Sequence, residues 1–223
     1  MPCRDRDYRR CVDYWNQVFA EEDPIPPRQA DTGNTGLNQG LDWLCQGARR
    51  VLDFGCGNGV LLLYCALRGA KELVGMDLSP AGISNARLRF RRAGLEPFTL
   101  LVGGVETLEQ WPPDSFDAIL LSNILDNLYP QDAMSLLSQC HRLLRPRGRI
   151  LVKLNPWLSP EQIQAWGIQV LEDNLLDDGL LLWNNTDRQW RTLMEAYFTI
   201  REAREIYYPE FDQINRLILA EKI

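Results

Sequence analysis

The sequence has one histidine, His141, in 223 residues, and no Cys-x-x-Cys pair. Its six cysteines, Cys3, Cys11, Cys45, Cys56, Cys65 and Cys140, are scattered along the chain. A lone imidazole and dispersed thiols do not supply a four-ligand zinc site, and the spacing offers no disulfide framework. Cationic charge is also in deficit: 24 Lys and Arg against 30 Asp and Glu leave a formal charge of −6. Proteins that work by neutralising phosphates usually carry the opposite balance, so nucleic acid and anionic membrane are disfavoured as partners. No charge-free apolar run approaches the roughly 20 residues of a membrane span, and the opening MPCRDRDYRR lacks the apolar stretch of a signal peptide. A soluble, cytoplasmic protein with reduced cysteines is expected. Enough apolar material is present, at 45% of residues, to build a buried core.

Tyr8, Cys11, Val12, Trp15, Val18 and Phe19 recur at steps of three and four, the period of an amphipathic helix of about four turns. The helix either packs on the body of the domain or serves as a lid over a ligand site. Asp23-Pro24-Ile25-Pro26-Pro27 and Asp31-Thr32-Gly33-Asn34-Thr35-Gly36 follow, a turn-rich stretch read as neither helix nor central strand. From residue 50 strands and helices alternate. Strands are expected at 51–54, 72–76, 98–102, 116–121 and 149–154. Helices are expected at 60–68, from Ser79-Pro80 to about Arg92, and at 131–144. This alternation specifies a parallel sheet with both faces covered. After a further helix near 187–197, strands near 200–207 and 213–221 are joined too tightly for a crossover and can pair antiparallel. Residues 168–186 read as two short strands around the acidic turn Asp177-Asp178-Gly179.

The chemistry concentrates at Gly55-Cys56-Gly57-Asn58-Gly59, between the first strand and the helix after it. Glycines there bring backbone N–H groups close to a ligand at the positive end of a helix. The dinucleotide fingerprint would place glycine or alanine at position 60, where Val60 stands. Asp53, inside the strand, would repel a pyrophosphate and welcome an ammonium or sulfonium. Asp77 ends the second strand, where a carboxylate can accept both hydroxyls of an adenosine ribose.

Val51 to Gly59, Val74-Gly75-Met76-Asp77-Leu78-Ser79, Ser115 to Ser122 and Leu143-Leu144-Arg145-Pro146-Arg147-Gly148 together resemble class I S-adenosylmethionine-dependent methyltransferases over roughly residues 45–155. The resemblance implies a Rossmann-like α/β fold in three αβα layers. Its seven-stranded sheet would be mostly parallel with an antiparallel last strand, here extended by an N-terminal helix and a small cap near 168–186. One domain is expected, with a lid-like segment at 1–45, a cofactor core at 46–155 and a substrate-side region at 156–223. The resemblance further implies that Asp53 and the loop Gly55, Cys56, Gly57, Asn58, Gly59 hold the methionine end of the cofactor. Asp77 and the following Leu78 and Ser79 would hold the ribose and flank the adenine, and Ser122 would meet the amino-acid portion. Where the family often has an acid for the adenine amino group, this chain has Gly104. The Gly104–Val105 backbone is the expected contact, with Glu106 a solvated helix-start residue.

For an acceptor, His141 is set aside because its helix body is remote from the strand ends. Asp126 and Asn123, just after the fourth strand, are candidates for positioning an acceptor hydrogen; equally, Asp126 and Asn127 simply cap and turn. Trp15, Asn155, Trp157, Trp183 and Asn184 are expected to line a small-molecule pocket, the alternative being Trp183 in the core. Arg87, Arg89, Arg91 and Arg92 read as a solvated helix face. A methyltransferase acting on a small molecule is the leading expectation. The alternatives are methylation of a protein or RNA, or a cofactor-binding module without catalysis.

Overall fold

A computed structural model describes residues 7–223, so Cys3 lies outside the described residues. A central sheet is built from β1 (Arg50–Phe54), β2 (Glu72–Asp77), β3 (Phe98–Val102), β4 (Phe116–Ser122), β5 (Leu144–Leu154), β9 (Thr199–Tyr208) and β10 (Gln213–Glu221). Its order is β3-β2-β1-β4-β5-β10-β9. The pairs β1–β2, β2–β3, β1–β4 and β4–β5 are parallel, and β10 runs antiparallel to both β5 and β9. The expected Rossmann-like sheet is therefore present, with the antiparallel strand inserted between β5 and β9.

Strands buried on both faces read as continuous apolar runs, and β1 shows why. Leu52 and Phe54 face one core, shared with α5 (Pro130–Leu143) and α7 (Asp187–Glu195). Val51 faces the other, shared with α2 (Thr35–Cys45), α3 (Val60–Leu67) and α4 (Pro80–Arg92). The chain lays β2 and β3 to one side of β1, then crosses back to lay β4 on its other side. That reversal opens a crevice at the carboxyl ends of β1 and β4, where open α/β sheets bind ligands.

Three elements depart from the sequence reading. The stretch read as turn through Gly36 instead starts α2, because the Asn34 carboxamide oxygen accepts the Leu37 N–H (3.0 Å) and caps the helix. Gly40 lets α2 lie close on the sheet: a Cβ there would sit 2.9 Å from Leu217 Cδ2. The Pro146-Arg147-Gly148 turn is a bulge within β5, with Arg147 at φ 64°, rather than a terminator before it. The insertion is a three-stranded antiparallel sheet, not two strands: β6 (Gln169–Glu172), β7 (Leu175–Asp177) and β8 (Leu181–Trp183). The short helix α6 (Pro160–Trp166) leads into it. Among the described residues, no helix is long and apolar enough to cross a membrane.

Candidate functional site

The glycine loop is tied to the neighbouring strand end. Gly55 and Cys56 N–H both donate to Met76 O, at 2.8 and 3.0 Å. Gly59 is the N-cap of α3 in left-handed conformation (φ 74°), and a Cβ on it would meet Ala86 at 2.8 Å. The Asp77 carboxylate clamps the turn: Oδ2 accepts Gly57 N–H and Oδ1 accepts Ser79 N–H, each at 2.8 Å. Burial raises this carboxyl above its ordinary range, partly offset by the N–H groups of Ser79, Gly57 and Leu78. Ser79 caps α4 as expected, accepting from Gly82 N–H at 3.0 Å.

A cavity of about 270 Å³ lies at this convergence. Gly55, Gly57, Asp77, Leu78 and Ser79 form its floor; Gly104, Val105 and Ser122 form one wall. Glu106 is exposed and sits in the first turn of the short helix after β3, as expected, and it borders that wall with its Oε1 accepting the Gly104 N–H at 2.9 Å. Asp53 does not reach the cavity. Its carboxyl is 1% exposed beneath the floor, with Oδ1 lacking a partner, and burial together with the Asp77 charge pushes its pKa well up. The expectation that Asp53 faces a ligand directly is corrected to a buried place below the loop. Cys56, Asn58 and Gly59 likewise shape the loop without lining the cavity. The Cys56 thiol is buried, Gly59 packs on α4, and Asn58 donates to the Glu22 carboxylate at 2.8 and 2.6 Å.

The roof is α1 (Arg9–Ala20), through Tyr8, Cys11, Val12, Trp15 and Phe19. Each end of this segment is anchored. Tyr8 donates to Asp132 Oδ2 (2.7 Å) and accepts from Tyr129 N–H (3.1 Å). Ser79 Oγ donates to Asn16 Oδ1 (2.7 Å), and Asn85 donates to Phe19 O (2.6 Å). Arg89 is the main latch. It is 3% exposed, donating to Ile25 O, to Asn58 O and to the Glu22 carboxylate (2.6 Å). The reading of Arg89 as part of a solvated face is thus overturned: helix periodicity identified α1 but carried no sign of its buried partner.

Beyond β4, Asn123 (φ 53°) and Asn127 line the cavity. An amide chain runs from Asn123 Nδ2 to Asn155 Oδ1, from Asn155 Nδ2 to Asn127 Oδ1 (2.9 Å) and from Asn127 Nδ2 to Leu181 O (2.6 Å). Asp126 is fully buried and does not line this cavity, so its candidacy for touching an acceptor is corrected; it accepts the Asn155 N–H at 2.7 Å and so sets that chain. Burial raises its pKa to about 6, against the lowering effects of that N–H and of Arg216.

A second cavity, of about 850 Å³, meets the first at Asn127 and Leu180. Asn155 and Trp157 lie in it. Trp183 and Asn184 do not. Trp183 is 9% exposed, edge-on to Trp190 at 5.1 Å, with Nε1 donating to Asn174 Oδ1. Asn184 bonds both the N–H and the C=O of Leu158, joining β8 to the segment before α6. These two side chains build the wall from behind, which alternation along so short a strand does not reveal. Trp15 lines the first cavity as part of its roof. His141 packs against Tyr197 and Phe198, away from both cavities.

Residues 51–148 match the family model described as a methyltransferase domain. The chain is 32% identical over 116 residues to a ubiquinone biosynthesis O-methyltransferase of Dechloromonas aromatica, covering 50% of this chain and 48% of that protein. It is 34% identical over 113 residues to the ribosomal protein L11 methyltransferase of Azotobacter vinelandii, covering 49% of this chain and 36% of that one. The matched segments thus span half or less of these relatives. Among solved structures, the fold is similar to that of a 1,6-didemethyltoxoflavin-N1-methyltransferase of Burkholderia thailandensis, with bound 1,6-didemethyltoxoflavin and S-adenosylhomocysteine. The TM-score is 0.68 at 20% identity, over 100% of this chain and 92% of that one.

Proposed function

We propose that the chain is a class I S-adenosylmethionine-dependent methyltransferase that transfers a methyl group from S-adenosylmethionine to a small-molecule acceptor, a reading supported by the match of residues 51–148 to a methyltransferase domain and by the similar fold of the 1,6-didemethyltoxoflavin-N1-methyltransferase. The observation that carries this reading is the covered cavity over the Asp77-clamped glycine turn, joined at Asn127 to a larger, open one. The residues present fit the cofactor. Asp77 offers remaining carboxylate lone pairs to a ribose diol, and Leu78 and Val105 offer apolar flanks to an adenine. The Gly55–Gly57 backbone leaves room that a side chain would fill, since a Cβ on Gly57 would meet Phe19 at 2.8 Å. Asp53 lies buried beneath the loop floor, where burial and the Asp77 charge raise its pKa.

The sulfonium of the bound cofactor supplies an already activated methyl group. What remains for the protein is to orient and to exclude water, which can supply several kcal/mol, up to ~7–11 in well-aligned cases. The α1 roof excludes water, and the Asn123–Asn155–Asn127 chain fixes the passage through which an acceptor atom is presented. Amides line that passage, and carboxylates stand in the cavities on either side of it, Asp132 in the inner one and Asp178 in the outer one.

The test is direct. S-adenosylhomocysteine should bind with 1:1 stoichiometry by calorimetry, and Asp77→Ala should weaken it at least tenfold while Asp77→Asn, which keeps an acceptor oxygen, weakens it less. Labelled methyl should pass from S-adenosylmethionine into a metabolite fraction. A second reading, a protein acceptor, is supported by the open wall of the outer cavity, where Phe211 is 71% and Trp166 61% exposed. Label in protein rather than metabolites would favour it. Absence of S-adenosylhomocysteine binding would overturn both.

A further inference from the structure

The amides between the two cavities form a chain whose direction is fixed from one end. Leu181 O is a backbone carbonyl and can only accept, so the Asn127 group 2.6 Å from it is the amino group. Asn127 Oδ1 is therefore turned to Asn155, which meets it with Nδ2 at 2.9 Å. Asn155 Oδ1 is left to accept from Asn123 Nδ2. Each amide sets the next, and the last one, Asn123, has its oxygen left over. That Oδ1 accepts no hydrogen bond among the described residues and, unlike Asp53 Oδ1, it is not sealed from solvent. It opens on the inner cavity, which Asn123 lines. The residue is also held in place: its backbone is left-handed at φ 53°, and its N–H donates to Lys153 O at 2.8 Å. Asparagine adopts that conformation more readily than most residues with a Cβ.

We infer that Asn123 Oδ1 selects the acceptor of the proposed methyl transfer: a primary or secondary amine, whose N–H that oxygen takes while the nitrogen lone pair is left for the methyl carbon. This names the substrate class of that reaction and rests on the methyltransferase reading. A neutral amine is a competent nucleophile while it still carries hydrogen. A hydroxyl reacts well only as it loses its hydrogen, and the resulting alkoxide or phenolate sets a negative lone pair against the Asn123 oxygen. Thiolates and tertiary amines likewise leave that oxygen without a donor. In the transfer the nitrogen lone pair forms the N–C bond, and the C–S bond breaks with its pair going to sulfur. The positive charge gained by nitrogen leaves as a proton to water in the open outer cavity. The amine must arrive uncharged, and a neighbouring sulfonium favours this by penalising an ammonium. A carboxamide at position 123 holds the N–H without the negative charge that would keep the amine protonated. The carboxylate of the same cavity, Asp132, accepts the Tyr8 hydroxyl at 2.7 Å.

The experiment compares two ligands of the full chain by calorimetry. Sinefungin carries a C–NH2 group in place of the cofactor's S–CH3 and so offers an N–H at the point of transfer; S-adenosylhomocysteine offers none there. Sinefungin is expected to bind at least tenfold tighter. In Asn123→Gly, which suits the left-handed backbone and removes the oxygen, the ratio should fall below threefold. Asn123→Asp, which keeps an acceptor oxygen, should retain or increase the preference, and circular dichroism checks that both variants fold. Isotope-labelled methyl passed from S-adenosylmethionine into a metabolite extract should appear by NMR as N-methyl carbon, with less of it from Asn123→Gly. Equal binding of the two ligands, a ratio unchanged in Asn123→Gly, or label only in O-methyl or S-methyl products overturns the inference. If the parent binds neither ligand, the methyltransferase reading falls as well. If S-adenosylhomocysteine binds and the sinefungin preference is absent, only the amine assignment falls.

Discussion

At the residue scale, the site is governed by carboxyl groups held in three different environments. Asp77 is half-buried and satisfied by two backbone N–H groups, Asp53 is buried with an orphan oxygen, and Asp126 is fully buried with one strong partner. Asp126 makes the energetic consequence measurable. In the unfolded chain its carboxyl holds a proton only to about pH 4, whereas in the fold it holds it to about pH 6. Its contribution to stability is therefore full below pH 4 and is lost as the pH rises through 6. The loss approaches about 3 kcal/mol, from roughly two pKa units at 1.36 kcal/mol each. Asp126→Asn, neutral at every pH and still able to accept the Asn155 N–H, should be more stable than the parent at pH 7.5 and converge with it below pH 4. Urea unfolding across that range checks it.

At the element scale, α1 is a roof because of what α4 holds out to it. Its own sequence specifies an amphipathic helix; the latch is Arg89, on a different helix. Removing a buried guanidinium that serves two carbonyls and a carboxylate leaves all three without their donor. Arg89→Ala should cost about 2–4 kcal/mol of stability, below the fully buried limit because Glu22 is about one-third exposed. S-adenosylhomocysteine affinity should fall with it as the roof loosens. Chemical unfolding and calorimetry on the same samples test both parts. The α2 helix teaches a related lesson. Its glycine-rich opening looks like a loop until Asn34 is seen capping it and Gly40 is seen lying against Leu217.

At the scale of the whole molecule, the first helix and the inserted sheet meet across the site. Arg10 donates to both oxygens of Asp177 at 2.9 Å. With side-chain exposures of 64% and 19%, that pair contributes no more than about 1 kcal/mol. Arg10→Ala should therefore shift Tm by about 2–4 °C at most, yet speed S-adenosylhomocysteine release several-fold by freeing the roof. Stopped-flow dissociation against a thermal scan separates the two effects. Saturating ligand at 100 times its Kd should add about 2.7 kcal/mol to parent stability, whatever the rate.

Sequence alone determined the strand–helix alternation, the Asp53–Gly59 turn, the position of Asp77 and the Ser79-Pro80 helix start, and through them the Rossmann-like fold. All of these are local signals: periodicity, turn chemistry and spacing between neighbouring elements. Only the tertiary structure decided which acids face a cavity and which are sealed, that Trp183 and Asn184 stand behind a wall while Asn127 stands in it, and that Arg89 and Arg216 are buried cations. Those outcomes depend on contacts between segments as much as 67 residues apart, as from Arg89 to Glu22, and on burial that reverses the ordinary behaviour of a charged side chain. Neither is encoded in any short window of the chain.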